Sequence, residues 1–291
     1  MALDLDLTQE PRYGVVERLS PRIQHLLAPN PGPFTFHGTG VYIVGAGNSV
    51  AVIDPGPDLP EHIEALKRAL DGKRISHILI THTHRDHSPA ARPLSAWSGA
   101  PMYGFGPHAE NSDVEEGGDR LFVPDVRVKD GDQIVGEDFT ITAIHTPGHT
   151  ANHVCYALAE EKVVFTGDHV MGWSTTVIAP PDGNMGDYLR SLEKLIARND
   201  AILYPTHGSP IPEPEDFLHA IVMHRQMREA QISTCLKSGA ATIPGLVAKL
   251  YAGLVPALVP AAALTVQAHL EHLIEQGQAV RDGENYRATA R

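Results

Sequence analysis

Apolar positions in the first two thirds of the chain come in short runs with turn residues between them. "GVYIVGAGNSVAVIDPG" reads as two β-branched runs around a Gly/Asn turn, a hairpin. "LPEHIEALKRAL" spaces its apolar residues three and four apart, which predicts a helix. "ISHILIT" is predominantly apolar, the mark of a buried strand. After it "PMYGF", "DQIVG", "FTITAIHT", "HVCYALA" and "KVVFTGD" predict short strands, "MGDYLRSLEKLIA" a helix and "AILYPTHG" a final strand. Many short strands with helices interspersed imply sheets layered under helices, an α/β sandwich.

From Glu215 the pattern changes. "PEDFLHAIVMHRQMREAQISTCLKSG" predicts one long helix, with Pro214 at its start and Leu218, Ile221, Val222, Ile232, Cys235 and Leu236 at helical spacing. "TIPGLVAKLYAGL" and "ALTVQAHLEHLIEQGQ" follow as helices, joined by the Ala/Pro-rich "VPALVPAAAL", and "AVRDGENYRA" closes as a hairpin. Helix, helix, helix, hairpin is the order of a winged helix, so the expected domains are residues 1–214 and 215–291.

Charge sharpens the division. The formal charge is −12, and residues 215–291 carry seven Lys/Arg against seven Asp/Glu, so the whole excess lies in residues 1–214. That argues against broad electrostatic binding to nucleic acid or an acidic membrane. With 42% hydrophobic and 20% charged residues the composition is that of a soluble globular protein. The opening "MALDLDLTQEPRYG" lacks a signal-peptide pattern, and no apolar run reaches the roughly 18 residues of a membrane span. A cytoplasmic location is expected. Cys155 and Cys235 stand far apart and read as apolar fillers rather than a disulfide or zinc knuckle.

"VGAGNSV" imitates a dinucleotide fingerprint, but Val50 occupies the third glycine's place and the chain continues as strand, so it is read as a hairpin turn. The informative stretch is "ILITHTHRDHSPA". His82 and His84 are two apart and share a face while the backbone stays extended. Asp86 and His87 come where the chain turns, before a helix expected near Ser88 and Pro89. Neutral imidazole and carboxylate suit zinc and similar divalent ions. Four groups are too many for one catalytic ion and too few for two. Further candidates stand at other strand ends: His149 in "HTPGHTANH", Asp168 in "VVFTGDHV" and His207 in "ILYPTHGSP".

As a set these residues resemble the metallo-β-lactamase superfamily, over residues 35–210. The resemblance implies a four-layer αββα sandwich followed by a winged-helix domain. It implies that His82, His84 and His149 hold one metal, that Asp86, His87 and His207 hold a second, and that Asp168 bridges them. Asp54 in "VIDPG" matches the family's buried carboxylate, which orients imidazoles from behind. "MHRQMREAQI" before the winged helix is similar to the β-lactamase-like protein 2 branch, whose characterised members include a single-strand RNA endonuclease. His224, Arg225, Arg228 and Glu229 there read otherwise as a solvated helix face. The secreted true β-lactamases are less similar, since several use a cysteine ligand and no cysteine lies in these motifs.

Other histidines flank the ligands. His145 and His153 are expected to pack or orient. His169, which follows Asp168, is a candidate for the substrate pocket and a leaving-group acid. Trp173, Thr175 and Thr176 lie in a loop able to line that pocket, and Tyr188 begins the next helix.

Two divalent ions roughly 3.5–4 Å apart can share a water and lower its pKa towards about 7, giving a bridging hydroxide. Two dications against two carboxylates and one hydroxide leave about +1, so the site attracts an anionic group even on an acidic protein. The expected activity is binuclear metal-dependent hydrolysis, with Asp86 and Asp168 as catalytic residues and a phosphodiester in single-stranded RNA as substrate. Alternatives are a thioester, as in hydroxyacylglutathione hydrolysis, a lactone or a β-lactam. A nonenzymatic, metal-stabilised protein that binds DNA or a partner is a third reading, and a mononuclear iron oxygenase a fourth. Zinc is the first choice of metal, with manganese or iron also accepted. The expected partners are a small molecule or single-stranded RNA, no membrane, and a second copy of the chain in a homodimer.

Overall fold

Two sheets face each other in the computed structural model, which describes residues 5–108 and 117–289. The first contains, in chain order, β1 (Val16–Arg18), β2 (Ile23–Leu27), β3 (Gly40–Val44), β4 (Ser49–Ile53), β5 (Arg74–Leu79), β6 (Met102–Gly104) and β7 (Val126–Arg127). Pairing is antiparallel from β1 to β4 and parallel from β4 to β7. The helices α1 (Pro60–Ala69) and α2 (Ala91–Ser98) provide the crossovers that the parallel pairs β4–β5 and β5–β6 require. The second sheet contains β8 (Gln133–Val135), β9 (Thr140–His145), β10 (Val154–Leu158), β11 (Val163–Gly167), β12 (Ile202–Pro205) and β13 (Ile211–Pro212), in spatial order β13-β12-β11-β10-β9-β8. Helix α3 (Met185–Ile196) crosses between the parallel strands β11 and β12.

Strand periodicity builds the layers. Both faces of β3 and β4 are buried, but against different partners. Tyr42, Val44, Ala51 and Ile53 meet Ile141, Tyr156, Phe165 and Tyr204 of the facing sheet. Val41, Ile43, Val50 and Val52 meet Leu66 of α1 and Leu94 of α2. The second sheet repeats the division, with Cys155, Ala157, Val164 and Leu203 turned to Tyr188 and Leu192 of α3. The result is the four-layer αββα sandwich. The turn after Val44 is the expected hairpin, with Gly45 at φ +135°.

The C-terminal part holds α4 (Glu215–Lys237), α5 (Ile243–Leu250), α6 (Val259–Glu275) and the hairpin β14 (Ala279–Asp282)–β15 (Asn285–Ala288), a winged helix. Helix α4 serves two cores. Leu218 and Ile221 pack with α3, whereas Ile232 and Leu236 pack with Leu246, Leu270 and Tyr286. Among the described residues no helix is long and apolar enough to cross a membrane. Cys155 and Cys235 are free thiols.

Several boundaries differ from expectation. The helix placed near Ser88 and Pro89 begins at Ala91, because residues 85–90 form the turn that carries Asp86 and His87. Helix α6 begins at Val259 rather than at Ala263, since Pro260 in a first turn gives up no helical hydrogen bond. Strands β1, β2, β7 and β13 had no counterpart in the hydrophobic pattern.

Candidate metal centre

Strand direction brings the candidate ligands to one edge. β9 and β11 both run antiparallel to β10, and β12 runs parallel to β11, so their carboxyl ends share an edge. Beyond those ends lie His149, Asp168 and His207. In the other sheet the parallel strands β4 and β5 end before Asp54 and His82. The two edges are joined: Val154 N–H donates to Thr81 O at 2.7 Å, and the Tyr156 hydroxyl to Ile80 O at 2.9 Å.

Two groups of donor atoms result, His82–His84–His149–Asp168 and Asp86–His87–Asp168–His207, each with its atoms within 4.8 Å of one another. In the first, His84 Nδ1 lies 2.9 Å from His82 Nε2 and 3.1 Å from His149 Nε2. In the second, His207 Nε2 is 3.0 Å from Asp86 Oδ2. Asp168 divides its oxygens, with Oδ1 3.4 Å from His87 Nε2 and from His207 Nε2, and Oδ2 3.8 Å from His149 Nε2. All seven residues assigned by resemblance therefore meet, in the grouping expected.

The remote ring nitrogens decide what the near ones can do. His149 Nδ1–H donates to Val177 O at 2.7 Å, and His207 Nδ1–H to Gly38 O at 2.9 Å. His87 Nδ1–H donates to Asp54 Oδ2 at 2.9 Å. Each bond fixes a tautomer with a lone pair on Nε2, the state a metal ligand needs. His87 Nε2 and Asp168 Oδ1 are buried without a hydrogen-bond partner, and buried polar atoms of this kind ordinarily have one. Nitrogen and carboxylate donors without thiolate match zinc, manganese or iron. The residues thus fit two divalent ions.

Electrostatics agree. Burial and the crowd of imidazoles lower His82, and burial and His149 lower His84 to about 3. Burial opposes ionisation of Asp86 and Asp168, yet His87 and His207 outweigh it and hold both carboxyls below the usual range. Burial also works against protonating His87 and His207, but Asp86 and Asp168 raise both rings, with Asp54 adding to the effect on His87. The spot between those rings demands positive charge, and a divalent cation answers that demand.

Asp54 is the hub behind the ligands. It is 0% exposed and left-handed at φ +46°, uncommon outside glycine. Its carboxylate accepts from Thr81 N–H (2.8 Å), Thr81 Oγ1 (2.7 Å), His87 Nδ1 (2.9 Å) and Thr206 Oγ1 (3.2 Å). Thr81 and Thr206, absent from the residues expected from the sequence, are thereby part of the site. Their signal was available: threonine directly precedes His82 in "THTH" and His207 in "PTHG". Gly167 has a positional reason as well, since a Cβ there would stand 2.7 Å from both His153 Nε2 and Thr81 Oγ1.

The flanking residues divide. His153 is buried and accepts from Asp168 N–H at 3.3 Å, and His145 stacks on Phe105 at 3.9 Å; both are packing or orienting residues. His169 and Tyr188 are fully buried, their rings 4.7 Å apart, so neither lines an open pocket. Thr176 is buried and donates to Asp168 O at 2.8 Å, while Thr175 is half-buried and Trp173 stacks on Phe36 at 5.1 Å. The solvated face expected on α4 is corrected. Arg225 is only 2% exposed, Arg228 lies over the Tyr251 ring at 4.1 Å, and Glu229 accepts from His272 at 2.8 Å.

A sandwich of this topology, with paired His/Asp groups at one edge, defines the metallo-β-lactamase fold, whose members are mostly hydrolases. The chain belongs to the metallo-β-lactamase superfamily, whose model matches residues 35–207; a β-lactamase-associated winged helix domain matches residues 242–288. A β-lactamase-like protein 2 homologue of Caenorhabditis elegans is 34% identical over 229 residues, 76% of this chain and 73% of that one. An atrochrysone carboxyl ACP thioesterase of Aspergillus terreus is 32% identical over 232 residues, 79% of this chain and 68% of that one. A β-lactamase domain protein from Burkholderia ambifaria shares the fold with a TM-score of 0.82 at 20% identity, over 99% of this chain and 97% of that one.

Proposed function

We propose that the protein is a binuclear metal-dependent hydrolase whose substrate is a thioester. One observation carries the hydrolytic reading: seven side chains converge with their lone pairs on two adjacent points, and Asp168 offers one oxygen to each. Divalent ions held there supply Lewis acidity and a nucleophile at neutral pH. The chain's own residues do the rest. Asp54, Gly38 O and Val177 O hold three imidazoles in the ligating tautomer. Asp86, whose side chain is 25% exposed, is kept ionised by His87 and His207 and so stays available as an anionic ligand. Hydrolysis of a thioester adds water across the acyl–sulfur bond and releases a carboxylic acid and a thiol.

The relative named as an acyl-carrier thioesterase supports the thioester, and the formal charge of −12 disfavours a long nucleic-acid strand. A phosphodiester in single-stranded RNA is the second reading, favoured by the winged helix. The test is a panel of acyl thioesters, lactones, β-lactams and labelled single-stranded RNA, each with and without chelator. Chelator-sensitive thiol release is the expected result. Its absence together with RNA cleavage replaces the substrate, and no turnover of anything at full metal loading removes the hydrolase reading in favour of a binding protein.

A further inference from the structure

Among the described residues Arg225 is the single buried lysine or arginine. It belongs to α4, the helix shared with the winged helix, and lies over the Tyr188 ring of α3 at 5.1 Å. Burying a guanidinium is costly unless its donors are used. One is used on the loop before α3, where Arg225 Nη2 donates to Thr176 O. The next carbonyl along, Val177 O, accepts from His149 Nδ1 at 2.7 Å. Thr176 Oγ1 meanwhile donates to Asp168 O at 2.8 Å and lies 3.1 Å from His169 O. Two consecutive carbonyls thus face opposite ways, one held by α4 and the other holding a candidate ligand. The same loop is clamped at its start by the Trp173–Phe36 stack, and Phe36 lies two residues before Gly38, whose carbonyl holds His207.

We propose that Arg225 is a positioning residue through which α4 sets the orientation of His149, so that the His82–His84–His149–Asp168 group is complete only while α4 is docked. Anchoring the Thr176–Val177 peptide from outside fixes the Val177 carbonyl. That in turn fixes the ring plane and tautomer of His149, and partners of this kind ordinarily govern metal affinity. The guanidinium is spent on one backbone carbonyl and a ring face, while its Nε has no partner; a lysine would lack the planar group that lies over Tyr188.

This rests on the metal-binding reading above, and its test needs no substrate. Zn2+ affinity is measured on the full chain by competition with a chromophoric chelator, and amide exchange is followed over residues 173–179. Arg225→Met is expected to weaken one of the two ions by about 10–100-fold and to speed exchange in the loop. Glu229→Gln, one turn further along α4, removes the negative charge that faces His272 without touching the loop; it is expected to lower thermal stability with both readouts unchanged. Arg225→Met with wild-type affinity and exchange overturns the proposal, as does an equal loss of affinity in Glu229→Gln. If Arg225→Met does not fold, Arg225→Lys is read instead. A loss of affinity smaller than 10-fold with a loosened loop supports the proposal, and no change in either overturns it. A wild-type chain that binds no Zn2+ removes the metal reading itself, a separate outcome.

Discussion

Two clusters of histidine and acid stand in this molecule, and they reach opposite ends. At the sheet edge, His87, His149 and His207 spend their remote nitrogens on Asp54, Val177 O and Gly38 O and leave the near ones converging. Between α4 and α6, His272 turns a ring nitrogen directly to Glu229 at 2.8 Å, with His269 at 3.4 Å from the same oxygen. The first arrangement reserves lone pairs for something from outside the chain; the second closes on itself and holds two helices together. Residue type is shared, so the distinction lies in what the backbone does around each ring. A rigid strand end with carbonyls behind the rings makes a ligand set, whereas a helix face offers no free carbonyl and the side chains must pair.

The largest effect that breaks the comparison is expected at Asp168, which serves both groups. Asp168→Ala should lower kcat/KM by about three orders of magnitude, the scale of losing a principal electrostatic element of a closed site, and release metal from both positions. Glu229→Ala, the acid of the other cluster, should leave kcat within a factor of about two while lowering the melting temperature by a few degrees. Steady-state kinetics beside metal analysis reads both. Equal losses of activity would mean that the two clusters do not differ as argued.

Removing metal comes next. An ion present at 100 times its dissociation constant stabilises the folded state by about 2.7 kcal/mol, or roughly 5–10 °C in a domain of this size. Chelation should therefore lower the melting temperature of the wild type by that much. In Asp168→Ala it should do almost nothing, and in Glu229→Gln the full shift should remain.

A smaller effect isolates the residue behind the ligands. Asp54→Asn keeps the volume but replaces one carboxylate oxygen with a donor, so His87, Thr81 and Thr206 lose a shared acceptor. The expected cost is about 10–100-fold in affinity for the Asp86–His87–Asp168–His207 ion. The other ion should be held nearly as well. Titration with Zn2+ distinguishes the two.

These contrasts also explain which parts of the molecule could be read before its structure. His82, His84, Asp86 and His87 are adjacent in sequence, and His149, Asp168 and His207 each follow an apolar run, so strand ends and ligands announced one another. Strands β3, β4, β10 and β11 were visible because strands covered on both faces are buried along their whole length, and β5 through its apolar end, after an exposed Arg74 and half-buried Ser76 and His77. β1 and β7 were not, for the converse reason. They lie at the edges of their sheet, expose Val16, Val126 and their charged neighbours, and carry no periodicity. The roles of Gly38 and Val177 were hidden for a different reason: each acts through its carbonyl, which every residue possesses. Arg225 and Glu229 were misread because nothing in a helical spacing shows what will cover the polar face: α6 covers Glu229 from forty residues away, and Tyr188 of α3 with the loop at Thr176 covers Arg225.

The smallest effect is a pH dependence confined to the helical cluster, and its sign follows from two opposite shifts. His272 is raised, chiefly by its hydrogen bond to Glu229 and against the cost of burial; Glu275 adds to the rise and Arg190 opposes it. Burial pushes Glu229 up, but hydrogen bonds from His269 and His272 outweigh it and bring the carboxyl down to about 2. A raised histidine contributes stability that is complete below its ordinary value of 6.5 and fades as pH climbs through the folded value. A depressed carboxyl contributes above its ordinary value of 4.5 and fades as pH falls towards about 2. The pair is therefore strongest between those ordinary values, and docking of α6 on α4 should weaken on either side. Both groups are partly exposed, so the loss between pH 6 and pH 8 should be at most about 1 kcal/mol. Denaturant unfolding of the wild type and Glu229→Gln at both pH values, with chelator present to silence the metal site, isolates it. The wild type should lose the small increment on going to pH 8 and Glu229→Gln should not, whereas an equal slope in both would assign the pH dependence to another group.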